Sequence, residues 1–224
     1  MASTVRRTLS SQRTASKEER QTQLIKATIR SIARRGLSET TIATVAKEAG
    51  LSQGIINLHF QSKDRLLVET LRYVADEYTN AWRTALDKAG PSIAEKLAAV
   101  IEAEFGKAVC DRNKVSVWFA FWGESKSRPT YRRICTELDR EFDAMLAGLC
   151  ADLISDGGYS GIDAENVATA LSAMGEGLWL DLLVNPESMD RERAKAVCFG
   201  YLANVFPDHF GVTARVGNRE NKSR

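Results

Sequence analysis

The sequence predicts an all-α protein, and three observations carry that expectation. Apolar residues recur at i, i+3, i+4 and i+7 through most of the chain, the spacing that lays a stripe along one face of a helix. The periodic stretches are closed by Gly, Gly-Pro or Asn-Pro, residues that stop a helix by adopting left-handed backbone or by lacking an N–H. No run alternates apolar and polar residues as a half-buried strand would, and there is no internal repeat.

Taken in order, Lys17–Arg35 carries Leu24, Ala27, Thr28, Ile32 and Ala33 at helical spacing and stops at Gly36. Thr41–Phe60, TIATVAKEAGLSQGIINLHF, reads as two short helices about a glycine turn. Ile42, Val45, Ala46 and Ala49 mark one face of the first. Gly50 follows where a helix commonly ends in a left-handed residue, which glycine adopts without a Cβ penalty. Ser52 stands as N-cap of the second helix, its hydroxyl free to accept an orphaned backbone N–H. Ile56 and Phe60, one turn apart, pack back on the first helix, and Gln53, Ile55, Asn57 and His59 face outward. Such a helix is suited to a DNA major groove, although any two adjacent short helices would give the same packing pattern.

Ser62 caps the next helix, and Asp64 lies in its first turn, where the dipole favours an acid. Lys63 opposes that dipole, and a phosphate partner explains it better than helix stability does. The helix continues through Leu66, Leu67, Thr70, Leu71, Val74, Tyr78 and Trp82 to about Lys88. Gly90-Pro91 ends it, with Pro91 placed to begin the following helix. Helices are then expected over Ser92–Val109, Asn113–Lys126 and Arg128–Ser155, followed by a glycine-rich loop at 157–161. Asp163 caps a helix to about Val184, Asn185-Pro186 breaks it, and Met189–Val205 is the last before Pro207.

The charge is unevenly spread. Residues 1–72 hold 13 Lys/Arg against 6 Asp/Glu, a net +7, which leaves −5 for the remainder of a chain whose formal total is +2. A basic first third points to a polyanion partner for that part alone. No run of 18 apolar residues is present, so no membrane-spanning helix is expected, and the first residues lack the apolar block of a signal peptide. Cys110, Cys135, Cys150 and Cys198 form no CxxC pair, and with only His59 and His209 available no zinc spacing can be assembled. Reduced, buried cysteines fit a cytosolic protein.

At the run TTIATVAKEAGLSQGIINLHFQSKDRLL the chain resembles the N-terminal DNA-binding domain of TetR-type transcriptional repressors. The family has a Thr opening its second helix, an AGVS–G turn, an aromatic end to the third helix and SK–LL opening the fourth. This chain departs at Asn57-Leu58-His59-Phe60, where the family often has Tyr-x-Tyr-Phe. Gly54-Ile55-Ile56, Trp118-Phe119-Ala120-Phe121-Trp122 and Glu176-Gly177-Leu178-Trp179-Leu180 also resemble the choline-responsive, BetI-type branch of that family. The resemblance implies a TetR-like architecture. A flexible basic arm over 1–16 would precede a helix-turn-helix DNA-binding domain over 17–72. An effector-binding and dimerisation domain over 73–210 and a disordered tail over 211–224 would follow.

The resemblance implies operator DNA as partner, with Gln53 reading base edges, Gly54 and Ile55 at the groove (Ile55 touching a thymine methyl) and Asn57 and His59 bonding a base or the backbone. Thr41, Ser52 and Lys63 would hold phosphates. It also implies an effector such as choline. A quaternary ammonium is held by aromatic faces and a nearby carboxylate rather than by strong hydrogen bonds. Trp118, Phe121 and Trp122 at i, i+3, i+4, with Trp179, Tyr131, Glu176 and Asp181, supply that chemistry, against the plain alternative of a packed core. A homodimer is implied through the last two helices, where Ala164, Ala168, Ala170, Ala173, Gly175 and Gly177 permit close approach. No cofactor is implied. A TetR-type protein with another effector is the alternative reading. An enzyme is disfavoured, since Gly158-Tyr159-Ser160-Gly161 and Gly175-Glu176-Gly177 each lack the final glycine and the preceding strand of the motifs they suggest.

Overall fold

A computed structural model describes residues 16–211, and every regular element among them is helical. The expected arm, apart from Ser16, and the expected tail beyond Gly211 lie outside the described residues. The described chain forms two compact units, one ending at Tyr73 and one beginning at Val74.

The first unit is built from α1 (Lys17–Arg35), α2 (Ile42–Ala49), α3 (Gln53–Phe60) and the start of α4 (Lys63–Lys88). Ser16 and Glu19 make a capping box at the head of α1, each satisfying one orphan N–H. Leu24, Ala27, Ile32, Val45, Ala46, Ile56, Phe60, Leu66, Leu67 and Leu71 form the core. Gly50 is left-handed at φ 66°. The Leu51 N–H reaches Ala46 O at 3.0 Å and the Gly50 N–H reaches Lys47 O at 3.3 Å, the paired bonds of a Schellman ending. Polar clamps fix the helices. Glu48 takes Arg30 at 3.1 Å and Arg34 at 3.3 Å, and Gln23 Nε2 donates to Ala49 O at 3.0 Å.

The second unit contains the rest of α4, then α5 (Ile93–Glu104), α6 (Arg112–Glu124), α7 (Pro129–Gly157), α8 (Ala164–Val184), α9 (Arg191–Val205) and the single turn α10 (Pro207–Phe210). Helix α8 packs on α6, α7 and α9, and α5 packs on α7 and α9. Phe206 is fully buried, and Tyr159 Oη, His209 Nδ1 (2.9 Å), His209 Nε2 and Asp156 Oδ2 (2.9 Å) tie α10 to the end of α7.

Several boundaries move. Pro91 does not open a helix; Ser92 does, as a capping box with Glu95, because Ser satisfies an N–H that Pro cannot. Helix α5 stops at Glu104, with Phe105–Cys110 in turns, rather than reaching Val109. Asp111 and Asp190 cap α6 and α9, displacing the expected starts at Asn113 and Met189, and α7 runs to Gly157 where Gly158 turns left-handed. Ser52 sits at the N-cap of α3 but makes no capping bond. Helix α8 is also long and apolar enough, by length and composition, to cross a membrane. It escaped a test for unbroken apolar runs because Glu165, Glu176 and Asp181 interrupt it; here Val167, Leu171, Leu178 and Trp179 are packed in the core.

Candidate nucleic-acid interface and effector cavity

Helix α3 lies over α1 and α2 with Ile56 and Phe60 inward. Gln53, Gly54, Asn57 and Leu58 are exposed, while Ile55 and His59 are half-buried. The outward set 53, 55, 57, 59 is thereby corrected. At 100° per residue, position 58 stands opposite Ile56, and 55 and 59 stand beside the packed face. Leu58 is 75% exposed, the most open large apolar side chain among the described residues, and was missed for that reason. His59 Nδ1 is enclosed without a hydrogen-bond partner. At the edges, Thr41 Oγ1 accepts the Thr44 N–H at 3.1 Å. The Ser52 hydroxyl is left outward, uncommitted to its helix. Lys63 opens α4, half-buried, and makes no ion pair among the described residues. Thr41, Ser52, Gln53, Gly54, Asn57 and Lys63 thus belong to one small unit that also exposes Lys26, Arg34, Arg35, Lys47 and Arg65, with the apolar Leu58 open among them. Gly54 has ordinary backbone, and a Cβ there would meet only Ser52 Oγ, at 3.8 Å, an ordinary contact, so nothing inside the unit requires glycine there.

The second unit holds a narrow cavity of about 30 Å³, open to solvent at its mouth. Tyr78 of α4 is its hub: the ring stands edge-on to Trp179 (centroids 5.7 Å, 83°) and to Trp118 (6.4 Å, 75°), and tilted against Phe142 at 5.3 Å. Trp122 lies 5.8 Å from Trp118. Between these rings stand Glu104 from α5, Asp139 from α7 and Glu176 from α8, with Leu138 and Ser172 completing the wall. No Lys, Arg or His lines it among the described residues. Burial, then Glu176, pushes the Glu104 carboxyl up to about 8. Burial, then Glu176 and Asp143, pushes Asp139 up to about 6, and Glu176 is raised by burial and Asp143. Tyr78 is raised well above a normal phenol by burial and then by the same acids. The shifts share one physical origin, negative charge crowded together without a counter-ion, with burial strongest at Glu104, partial at Asp139 and least at Glu176, which keeps an exposed side.

Of the residues singled out from sequence, Trp118, Trp122, Glu176 and Trp179 line this cavity. Phe121, Tyr131 and Asp181 do not. Phe121 diverges by 100° from Trp122 around α6 and packs edge-on against Tyr131 at 4.8 Å, where both are core. Asp181 follows Glu176 by five residues, which turns it away; it accepts Asn185 Nδ2 at 3.0 Å at the end of α8. Tyr78, Glu104, Asp139 and Phe142 were missed, being supplied by three other helices. The one available signal was Glu104, an acid seven residues after Leu97 on the buried face of α5. No group of three metal-ligating side chains occurs among the described residues, and all four cysteines are free thiols.

A family profile described as the BetI-type transcriptional repressor C-terminal domain matches residues 93–207, and one for the bacterial regulatory proteins of the tetR family matches 24–70. The HTH-type transcriptional regulator BetI 2 of Chromohalobacter salexigens is 34% identical over 195 residues, 86% of this chain and 90% of that protein. A solved transcriptional regulator from Pseudomonas aeruginosa PAO1 superposes with a TM-score of 0.76 at 31% identity, covering 87% of this chain and 94% of its own. Another, from Saccharomonospora viridis in complex with choline, has a TM-score of 0.74 at 25% identity, covering 83% and 96%. These relatives are regulators rather than enzymes. With both halves matched and the likeness spanning most of the chain, the protein belongs to the TetR family of transcriptional regulators and carries a BetI-type C-terminal domain.

Proposed function

We propose that this repressor holds operator DNA as a homodimer through α3 and releases it when choline, or a similar quaternary ammonium, enters the aromatic cavity. The observation that carries the effector reading is the wall itself: five aromatic side chains and three carboxyl groups with no basic side chain. A cation without N–H groups binds through ring faces, at about 0.5–2 kcal/mol per good contact, and a neighbouring carboxylate adds Coulomb attraction. The choline-bound relative supports the same chemistry. The regulated genes would be those converting choline to glycine betaine, and a protein acting on their operator would work in the cytoplasm.

Two reading heads must meet half-sites about one helical turn, or a multiple, apart, so the dimer is part of the mechanism. Among exposed large apolar residues, Leu180 and Val184 lie on α8 and Val197 on α9, and Ala173 and Gly177 continue the α8 stripe. Ala168, Gly175, Ala194, Cys198 and Leu202, by contrast, are spent inside the protomer. Helix α4 opens with Lys63 and supplies Tyr78 to the cavity. Ligand that favours one setting of Tyr78 therefore biases α4, and operator affinity changes only by the ligand's differential affinity for the two settings.

The test is a titration of choline against the protein bound to a labelled fragment of its own promoter. Release of DNA with saturable dependence on choline is expected. Choline that stabilises the protein against heat while leaving operator affinity unchanged contradicts the coupling, and release only by some other metabolite assigns the cavity to a different effector.

A further inference from the structure

Glu104 is the last residue of α5, shares the buried face of Leu97, Val100 and Ile101, and is only 9% exposed. Its carboxyl lies against Gly175 of α8, so closely that a Cβ there would overlap it; the glycine is a matter of space, since its backbone is ordinary helix. Among the described residues no group donates a hydrogen bond to this carboxyl. The titratable groups facing it or sharing its cavity come from every element packed around it. They are Tyr78 on α4, Cys110 in the turns after α5, Asp139 and Asp143 on α7, Glu176 on α8 and Cys198 on α9. None is basic. Each that ionises adds negative charge.

We propose that the cavity exchanges a proton for its ligand: an organic cation enters only as Glu104 surrenders its proton to solvent, so that one site senses effector and acidity together. The proposal rests on the reading of the cavity as a cation site and adds a regulation to it. The balance is simple. Neutral Glu104 plus a cation gives a carboxylate–cation pair plus one hydrated proton, and charge is conserved. Without ligand, burial and Glu176 keep the acid protonated up to about 8. A fixed positive charge set among the rings supplies the counter-ion that the protein withholds, and the ionised form becomes the favoured one. The repressor is then least responsive when the surroundings are acid.

Calorimetry of the full chain with choline chloride from pH 6 to 8.5, at each pH in two buffers of different ionisation enthalpy, tests this. The dissociation constant is expected to fall by up to about tenfold per pH unit at the acid end and to level off near pH 8. The difference between buffers should report about one proton released near pH 6.5. Above pH 7, where Asp139 has already ionised, Glu104→Gln should bind with a nearly flat pH profile and release almost no proton, while Glu102→Gln, an exposed neighbour on the same helix, should behave as wild type. Wild-type affinity independent of pH, with heats that do not depend on buffer, overturns the exchange. No choline binding at any pH overturns the cation-site reading itself, and the exchange with it.

Discussion

On the proposed reading Gln53 and Lys63 would make two kinds of DNA contact, which mutation can separate. Gln53 is exposed on α3 and suited to the paired acceptor and donor of adenine. Gln53→Ala should lose about 1–3 kcal/mol of discrimination at one base pair per half-site, measured by binding to operator variants. Lys63→Ala should weaken binding to every sequence and lower the salt slope by about one per site; an unchanged slope would remove it from the phosphate contacts. In the cavity the informative contrast is Phe121 against Trp122. Phe121 is fully buried, so Phe121→Ala should cost about 3–5 kcal/mol of unfolding free energy, read by urea denaturation. Half-buried Trp122→Ala should spare the fold and weaken choline instead. The sequence made these neighbours look equivalent, because i+3 and i+4 both fall near position i. Only the packing partner, Tyr131 for one and Trp118 for the other, distinguishes them.

Among elements, the helices were legible because their signals are local: an apolar period, a capping Ser or Asp, a glycine able to turn left-handed. Where a local rule had a better competitor one or two residues away, the boundary slipped, as when Ser92 with Glu95 took the cap from Pro91. Exposure around α3 was misjudged for a geometric reason, since alternating positions belong to a strand and not to a 100° turn. The cavity was half visible. Its tryptophans on α6 and α8 stand out in composition, whereas Tyr78 and Phe142 merge into ordinary apolar stripes on α4 and α7 until the helices are brought together. Helices α8 and α9 also supply an element-scale prediction. Leu180 and Val184 are exposed, so Leu180→Glu with Val184→Glu should leave the helical content of the protomer intact. The same pair should shift the protein from dimer to monomer in sedimentation and abolish operator binding. A variant that remains dimeric would place the interface elsewhere.

For the whole molecule, the cavity acids carry a stability consequence with a definite sign. Glu104 rises from 4.5 to about 8 and Asp139 from 3.8 to about 6, so the folded protein holds protons that the unfolded chain has lost between those values. Stability from these groups is therefore present at acid pH and declines as pH rises through roughly 4 to 8. Choline-free protein should lose urea resistance between pH 5.5 and 8 more steeply than Glu104→Gln does, and choline should restore more at pH 8 than at pH 5.5. Equal slopes for wild type and variant would contradict this. The placement of the tryptophans offers a way to watch these events. All four in the chain lie in the second unit: Trp118, Trp122 and Trp179 on the cavity wall, and Trp82 against Phe142 at 6.2 Å. The unmodified protein is thus an optical sensor whose tryptophan emission originates at and beside the cavity and nowhere in the first unit. A change of that emission on adding operator alone would be a signal that crossed the molecule, recorded without a label.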